Sequence, residues 1–222
     1  MDRKIEKQMR KYESWLAKDL GVDSVPPMQV LDLETGGVPE GSLLPRTAVV
    51  ANRSGMVQVV TGGMLKLADV RFGYVKVSEP RPLEVQLFAI NMSTNIARGV
   101  YATSFALAAP LRKPVAGPVR LGDETESDRN NFTARNLFEG DRETAALLNA
   151  DRDLLKQAAL LPVTRRTTAK TTEKLGRHLE IRPIDAQRSA LIVRTLPDIL
   201  MTRTGFRARQ TLEFAAAVEA RL

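Results

Sequence analysis

Between Leu43 and Val119 the chain carries strand-like stretches about ten residues apart, and no helical pattern lies between them. This limits the fold more than any other feature. Parallel strands need crossover connections of a dozen or more residues, usually helical. Strands joined by short turns can pair only as antiparallel neighbours. Thr47-Ala48-Val49-Val50 and Met56–Thr61 flank the turn signal Asn52-Arg53-Ser54-Gly55, which predicts a hairpin. Gly62-Gly63 marks the next turn, and Met64–Val77 reads as one long or two short strands broken near Gly73. Leu83, Val85, Leu87 and Ala89 alternate with Glu84, Gln86, Phe88 and Ile90, the period-2 pattern of a strand. After a loop at 91–99, Tyr101, Thr103, Phe105 and Leu107 alternate again, and Pro110, Pro114 and Pro118 close the region.

The flanks read differently. Ile5, Met9, Tyr12, Leu16 and Leu20 follow helical spacing over residues 3–20, and Gly21 is a stop signal. Such a helix either packs on its own subunit or acts as an arm docking on a neighbour through Ile5, Met9, Tyr12, Trp15 and Leu16. Pro26-Pro27 and Gly36-Gly37 loosen its attachment, and residues 22–41 read as an extended linker. Residues 121–136 are polar and loop-like. Asp141 is placed to cap a helix running to Leu161, and Pro162 stops it. A short strand is expected at His178–Arg182, then a helix capped by Asp185 through Leu191, Ile192 and Leu196, and a last helix from about Phe206. The expected fold is α+β: an antiparallel β-sandwich or barrel core at about 42–119, an N-terminal helix and a mainly helical C-terminal part. The corresponding divisions are an arm at 1–41, a β domain at 42–122 and a helical region at 123–222.

Composition narrows the chemistry. The 222 residues contain no cysteine and one histidine, His178. Disulfides and thiolate zinc sites are excluded. A serine triad would have to use His178, and G-x-S-x-G, HExxH, EF-hand and Walker spacings are all missing. Thr61-Gly62-Gly63-Met64-Leu65-Lys66 ends in lysine but lacks the phosphate-loop spacing. Asp69 and Arg71 are two apart in a strand pattern, where a cross-strand ion pair is the ordinary explanation. Asp151 and Asp153 do not share a helical face. We therefore expect no catalytic residues, no metal and no cofactor. The N-terminus lacks the apolar segment of a signal peptide, and no run is long enough for a membrane span. A cytoplasmic or virion location is expected.

The charge is segregated. The net charge is +7, composed of −2 over residues 1–40, +7 over 41–120, −4 over 121–160 and +6 over 161–222. Basic blocks favour polyanionic partners. In the second block Arg165, Arg166, Lys170, Lys174 and Arg177 alternate with five threonines between 164 and 174, and Arg203, Arg207 and Arg209 lead into the last helix. Guanidinium groups, hydroxyls and a helix N-terminus all suit phosphate oxygens. Aromatic residues are scarce and do not interleave with the bases, so backbone contact is expected rather than base stacking. The leading expectation is a structural or assembly protein that self-associates and binds nucleic-acid backbone, RNA favoured: a viral coat, nucleocapsid, matrix or movement-type protein. The alternatives are a protein-only scaffold subunit of a secretion apparatus or phage particle, and a carboxylate- or Lys/Arg-dependent enzyme.

Overall fold

A computed structural model describes residues 3–32, 35–46, 49–51, 56–59, 63–66, 69–93, 98–121, 137–161, 178–194 and 207–222. The protein is α+β. In chain order the elements are α1 (Arg3–Leu20), β1 (Gln29–Leu31), β2 (Val49–Ala51), β3 (Met56–Val59), β4 (Gly63–Lys66), β5 (Asp69–Val77), β6 (Leu83–Ser93), β7 (Arg98–Leu111), β8 (Val119–Leu121), β9 (Phe138–Gly140), α2 (Arg142–Asn149), α3 (Arg152–Leu160), β10 (His178–Pro183), β11 (Ser189–Arg194) and α4 (Ala208–Glu219). Eight strands form one antiparallel sheet in the order β1-β5-β6-β7-β11-β10-β8-β9. The sheet ends at β1 and β9, so it is open and not a closed barrel. The predicted hairpin β2–β3 and its neighbour β4 form a separate three-stranded sheet.

Alternation gives the main sheet two different faces. On the first, Val75, Val85, Leu107, Val193 and Leu179 are successive cross-strand partners, and all are buried. Helices cover this face. α1 lays Ile5, Met9, Tyr12, Leu16 and Leu20 on it, and α4 adds Leu212, Phe214, Ala215 and Val218. α2 and α3 seal the far side, where Phe138, Leu148, Leu154 and Ala158 join the same core. Gly73 sits inside β5 and does not break it, because a Cβ there would lie 2.7 Å from the Met9 sulfur. α1 thus crosses β5 at close range.

The second face is more polar at its edges and small in its middle. Ala106, Ala108 and Ala190 leave a shallow trough, and residues 35–46 lie across it as a strap, burying Val38 and Leu44 against Tyr74 and Ile192. Side chains from two strands, β6 and β10, pin the strap. The Glu84 carboxylate accepts from Ser42 Oγ (2.6 Å) and from the Leu43 amide (2.8 Å). Gln86 Nε2 donates to the Gly36 and Gly37 carbonyls, and Arg182 Nη2 donates to the Leu43 carbonyl at 2.5 Å. Gly37 is required by its φ of +74° and by the Phe72 ring, which an added Cβ would approach to 2.2 Å.

Several expectations are corrected. Residues 22–41 are not only a linker: they supply the edge strand β1 and the start of the strap. Pro110 does not end the β region but pairs with Ala190 inside the sheet. The helix from Asp141 is two helices, with Asp141 capping α2 and Asp151 capping α3 through the Asp153 and Leu154 amides. Asp185 caps no helix. Its carboxylate accepts from the Gln187 and Arg188 amides in the tight turn joining β10 to β11, and Leu191 and Ile192 lie in a buried strand. The 123–222 region therefore adds β9, β10 and β11 to the sheet that the 42–122 region begins. The loop expected at 91–99 is shorter, since β6 runs to Ser93 and β7 begins at Arg98, and Leu121 of the stretch 121–136 belongs to β8; the turn at 52–55 and residues 94–97 and 122–136 lie outside the described residues.

Candidate functional site

The helical stripe proposed for oligomerisation faces inward in this chain. Ile5, Met9, Tyr12 and Leu16 are buried in the intramolecular core, which leaves no exposed apolar face at those four positions. Trp15 is half-buried at the margin, edge-on to Tyr12 with ring centroids 5.4 Å apart, and Lys11 Nζ sits 4.7 Å over it.

The described basic residues do not gather at one place. At the end of the sheet formed by the β5–β6 and β10–β11 turns, Arg81 Nη2 lies 2.8 Å from Glu219 of α4, and the other oxygen of Glu219 accepts from the Arg112 amide. In the same end region Arg188 is paired with Asp185 at 2.6 Å. Arg221 pairs with Asp151 and Lys156 with Asp153 on the helical side. These cations are matched by carboxylates of their own chain.

Two of the eight bases singled out for nucleic acid are described. Arg207 and Arg209 stand at the start of α4, where α1 ends. The Asp19 carboxylate accepts from the Ala208 amide (2.5 Å) and so serves α4 as its cap. Burial pushes the Asp19 carboxyl above its usual range, although the Ala208 hydrogen bond and the charges of Arg209 and Arg207 oppose the shift. Arg209 packs its guanidinium on Gly21, leaving no room for a Cβ there. Arg165, Arg166, Lys170, Lys174, Arg177 and Arg203 lie outside the described residues.

The described residues flanking those segments are neighbours at both ends. Leu161, after α3, and Arg207, before α4, line one groove together with Gln157, Gln210 and Phe214. His178, at the start of β10, is the cross-strand partner of Arg194, at the end of β11. Residues 162–177 and 195–206 thus connect the same two regions of the body.

Beside His178 lies a group of charges that sequence reading had not assembled. Arg120 on β8 is opposite Glu180 on β10, with Nη2 to Oε1 at 3.4 Å. Arg182 lies two residues along from Glu180, and Arg194 is diagonal to it on β11, all on the strap face. Arg194 is half-buried, and its guanidinium makes no hydrogen bond or ion pair among the described residues. Its pKa is lowered, first by desolvation and then by Arg182 and Arg120, while Glu180 works against the shift. The available sequence signal was His178, Glu180 and Arg182 at alternating positions of a predicted strand.

No family model, curated protein or solved structure matches this chain.

Among the described residues no group of three or more carboxylate or imidazole side chains is placed to hold a metal. No described helix is long and apolar enough to cross a membrane.

Proposed function

We propose that this chain is a non-enzymatic structural or assembly protein that self-associates and grips the phosphate backbone of a nucleic acid, with RNA favoured over DNA. Coat, nucleocapsid, matrix and movement-type proteins are the functional class, in the cytoplasm or the virion. The observation that carries this reading is the excess of guanidinium groups around Glu180. Arg120, Arg182 and Arg194 flank Glu180 in the strand register, Arg120 as its ion pair and Arg194 at the end of the sheet where residues 165–177, with five bases and one acid, enter β10. Such a surface attracts a polyanion through Coulomb energy and counterion release, without reading sequence. The in-chain pairing of Arg81, Arg188 and Arg221 restricts the proposed contact surface to this end. The test is fluorescence anisotropy with labelled single-stranded RNA, on the wild type and on a variant with Arg165, Arg166, Lys170, Lys174 and Arg177 changed to Ala. Weaker binding by the variant is expected, and equal binding rejects the assignment.

A second reading, a protein-only scaffold of a secretion apparatus or phage particle, is favoured by that same in-chain pairing, which removes cations from any phosphate-binding surface. Light scattering with two-wavelength absorbance separates the two. Large particles free of nucleic acid would support the scaffold.

A further inference from the structure

We infer that Arg120, Arg182 and Arg194 form a seat for a single phosphate group, with Glu180 as its internal counter-charge. The inference deepens the backbone-binding reading and rests on it only for the source of the phosphate.

The seat follows from strand register. Glu180 is flanked by Arg120 across the β8–β10 pair and by Ile192 across the β10–β11 pair. Arg182 and Arg194 bracket it along the strands. The three arginines are therefore placed around Glu180 on three strands of one face. Two of them are already oriented: Arg182 by its bond to the Leu43 carbonyl, and Arg120 by Glu180. Arg194 has its donors uncommitted among the described residues while half-desolvated, a costly state for a guanidinium unless an anion arrives. Glu139 lies opposite Arg120 on β9, is exposed to water, and stands on the far side of Arg120 from Arg194.

Charge and shape select the ligand. Against Glu180 alone the three positive charges leave two unmatched, which suits the charge of about −1.5 to −2 on a phosphate monoester; Glu139, exposed beyond Arg120, lowers that excess by at most one. A tetrahedral anion offers oxygens to donors in three directions, whereas a planar carboxylate is filled by one or two forks. The same seat would hold one diester phosphate of a nucleic-acid strand, with one positive charge left over. Glu180 sets the affinity, because any anion must share its arginines with that carboxylate.

The experiment follows the arginine Nε–Hε signals of the full chain during titration with inorganic phosphate, and in parallel with a short single-stranded RNA. Phosphate should move Arg194 most. Arg194→Gln should weaken phosphate binding about tenfold or more, and Arg194→Lys, which keeps charge without the fork, should fall between. Glu180→Gln should tighten binding, a gain that misfolding cannot imitate. Arg188→Gln, whose guanidinium is held by Asp185 in the β10–β11 turn, should change nothing. Phosphate affinity unaltered by both Arg194→Gln and Glu180→Gln overturns the seat, as does acetate competing as well as phosphate. RNA binding by a chain that ignores inorganic phosphate also overturns it while leaving the backbone reading intact. Phosphate binding lost in Arg194→Gln with RNA binding absent throughout supports the seat, assigns it to a free phosphate or monoester, and removes the backbone reading.

Discussion

Replacing Glu84 tests how the strap is held. Its side chain is 2% exposed, and its carboxylate accepts from Ser42 Oγ and the Leu43 amide, with Lys76 Nζ at 3.7 Å. Hydrogen bonds to a charged acceptor contribute about 1.5–3 kcal/mol each, and a donor left unpaired in the interior adds its own desolvation cost. Against this, removing the carboxylate relieves the several kcal/mol needed to bury a charge that is only loosely paired. The balance for Glu84→Ala is a loss of about 2–4 kcal/mol. Glu84→Gln keeps one acceptor and the volume, and should lose about half as much. At a urea slope of about 3 kcal/mol per molar for a chain of this size, the Ala variant should unfold about 1 M earlier. Urea melts followed by Trp15 fluorescence and by circular dichroism give both numbers. Trypsin supplies a local readout, because a loosened strap should be cut sooner at Arg46. If Glu84→Ala melts within 0.5 kcal/mol of wild type and Arg46 stays protected, the pinning argument is wrong.

Other consequences can be measured alongside. The Tyr74 hydroxyl is pushed up to about 12, first by burial and then by the Glu84 charge. Folding thus favours its protonated form, so this contribution is complete below pH 10 and is lost as pH rises towards 12; absorbance at alkaline pH should show one late-titrating tyrosine, earlier in Glu84→Gln. Gly37→Ala combines a left-handed φ with a collision against Phe72 and should cost about 2–5 kcal/mol by urea melt. Leu107→Ala, at a fully buried position in the middle of the sheet, should cost about 2–5 kcal/mol. Asp19→Ala should destabilise by about 1 kcal/mol through loss of the α4 cap. Because burial raises the Asp19 carboxyl, its protonation favours the fold at low pH and that benefit fades as pH rises, so Asp19→Asn should match or exceed wild type at pH 7.

What could be read from the sequence was local. The stripe Ile5, Met9, Tyr12, Leu16 and Leu20 repeats at helical spacing, and Gly21 ends the helix as expected, with a φ of +74°. The β6 and β7 alternations and the Asp141 cap were visible for the same reason: each lies within a few residues of its partner or period. Ser189–Arg194 misled because a short continuous apolar run has no period to separate strand from helix, and an aspartate such as Asp185 suits a tight turn as readily as a helix N-terminus. The strap was illegible, since Glu84, Gln86 and Arg182 lie 41 to 139 residues from the groups they hold. The arginine group around Glu180 was illegible too. It exists only once β8, β10 and β11 adopt their register, and Arg120 and Arg194 are far apart in the chain.

The most direct measurement is the salt dependence of RNA affinity, taken for wild type and for the variant lacking the five bases between 165 and 177. Each phosphate contact on a single strand adds about 0.7 to the slope of log affinity against log salt. We expect the variant to bind more weakly and its slope to shrink by up to about 3.5. Two parallel lines, or no RNA affinity in the wild type at low salt, would contradict the proposal and leave a scaffold made of protein alone.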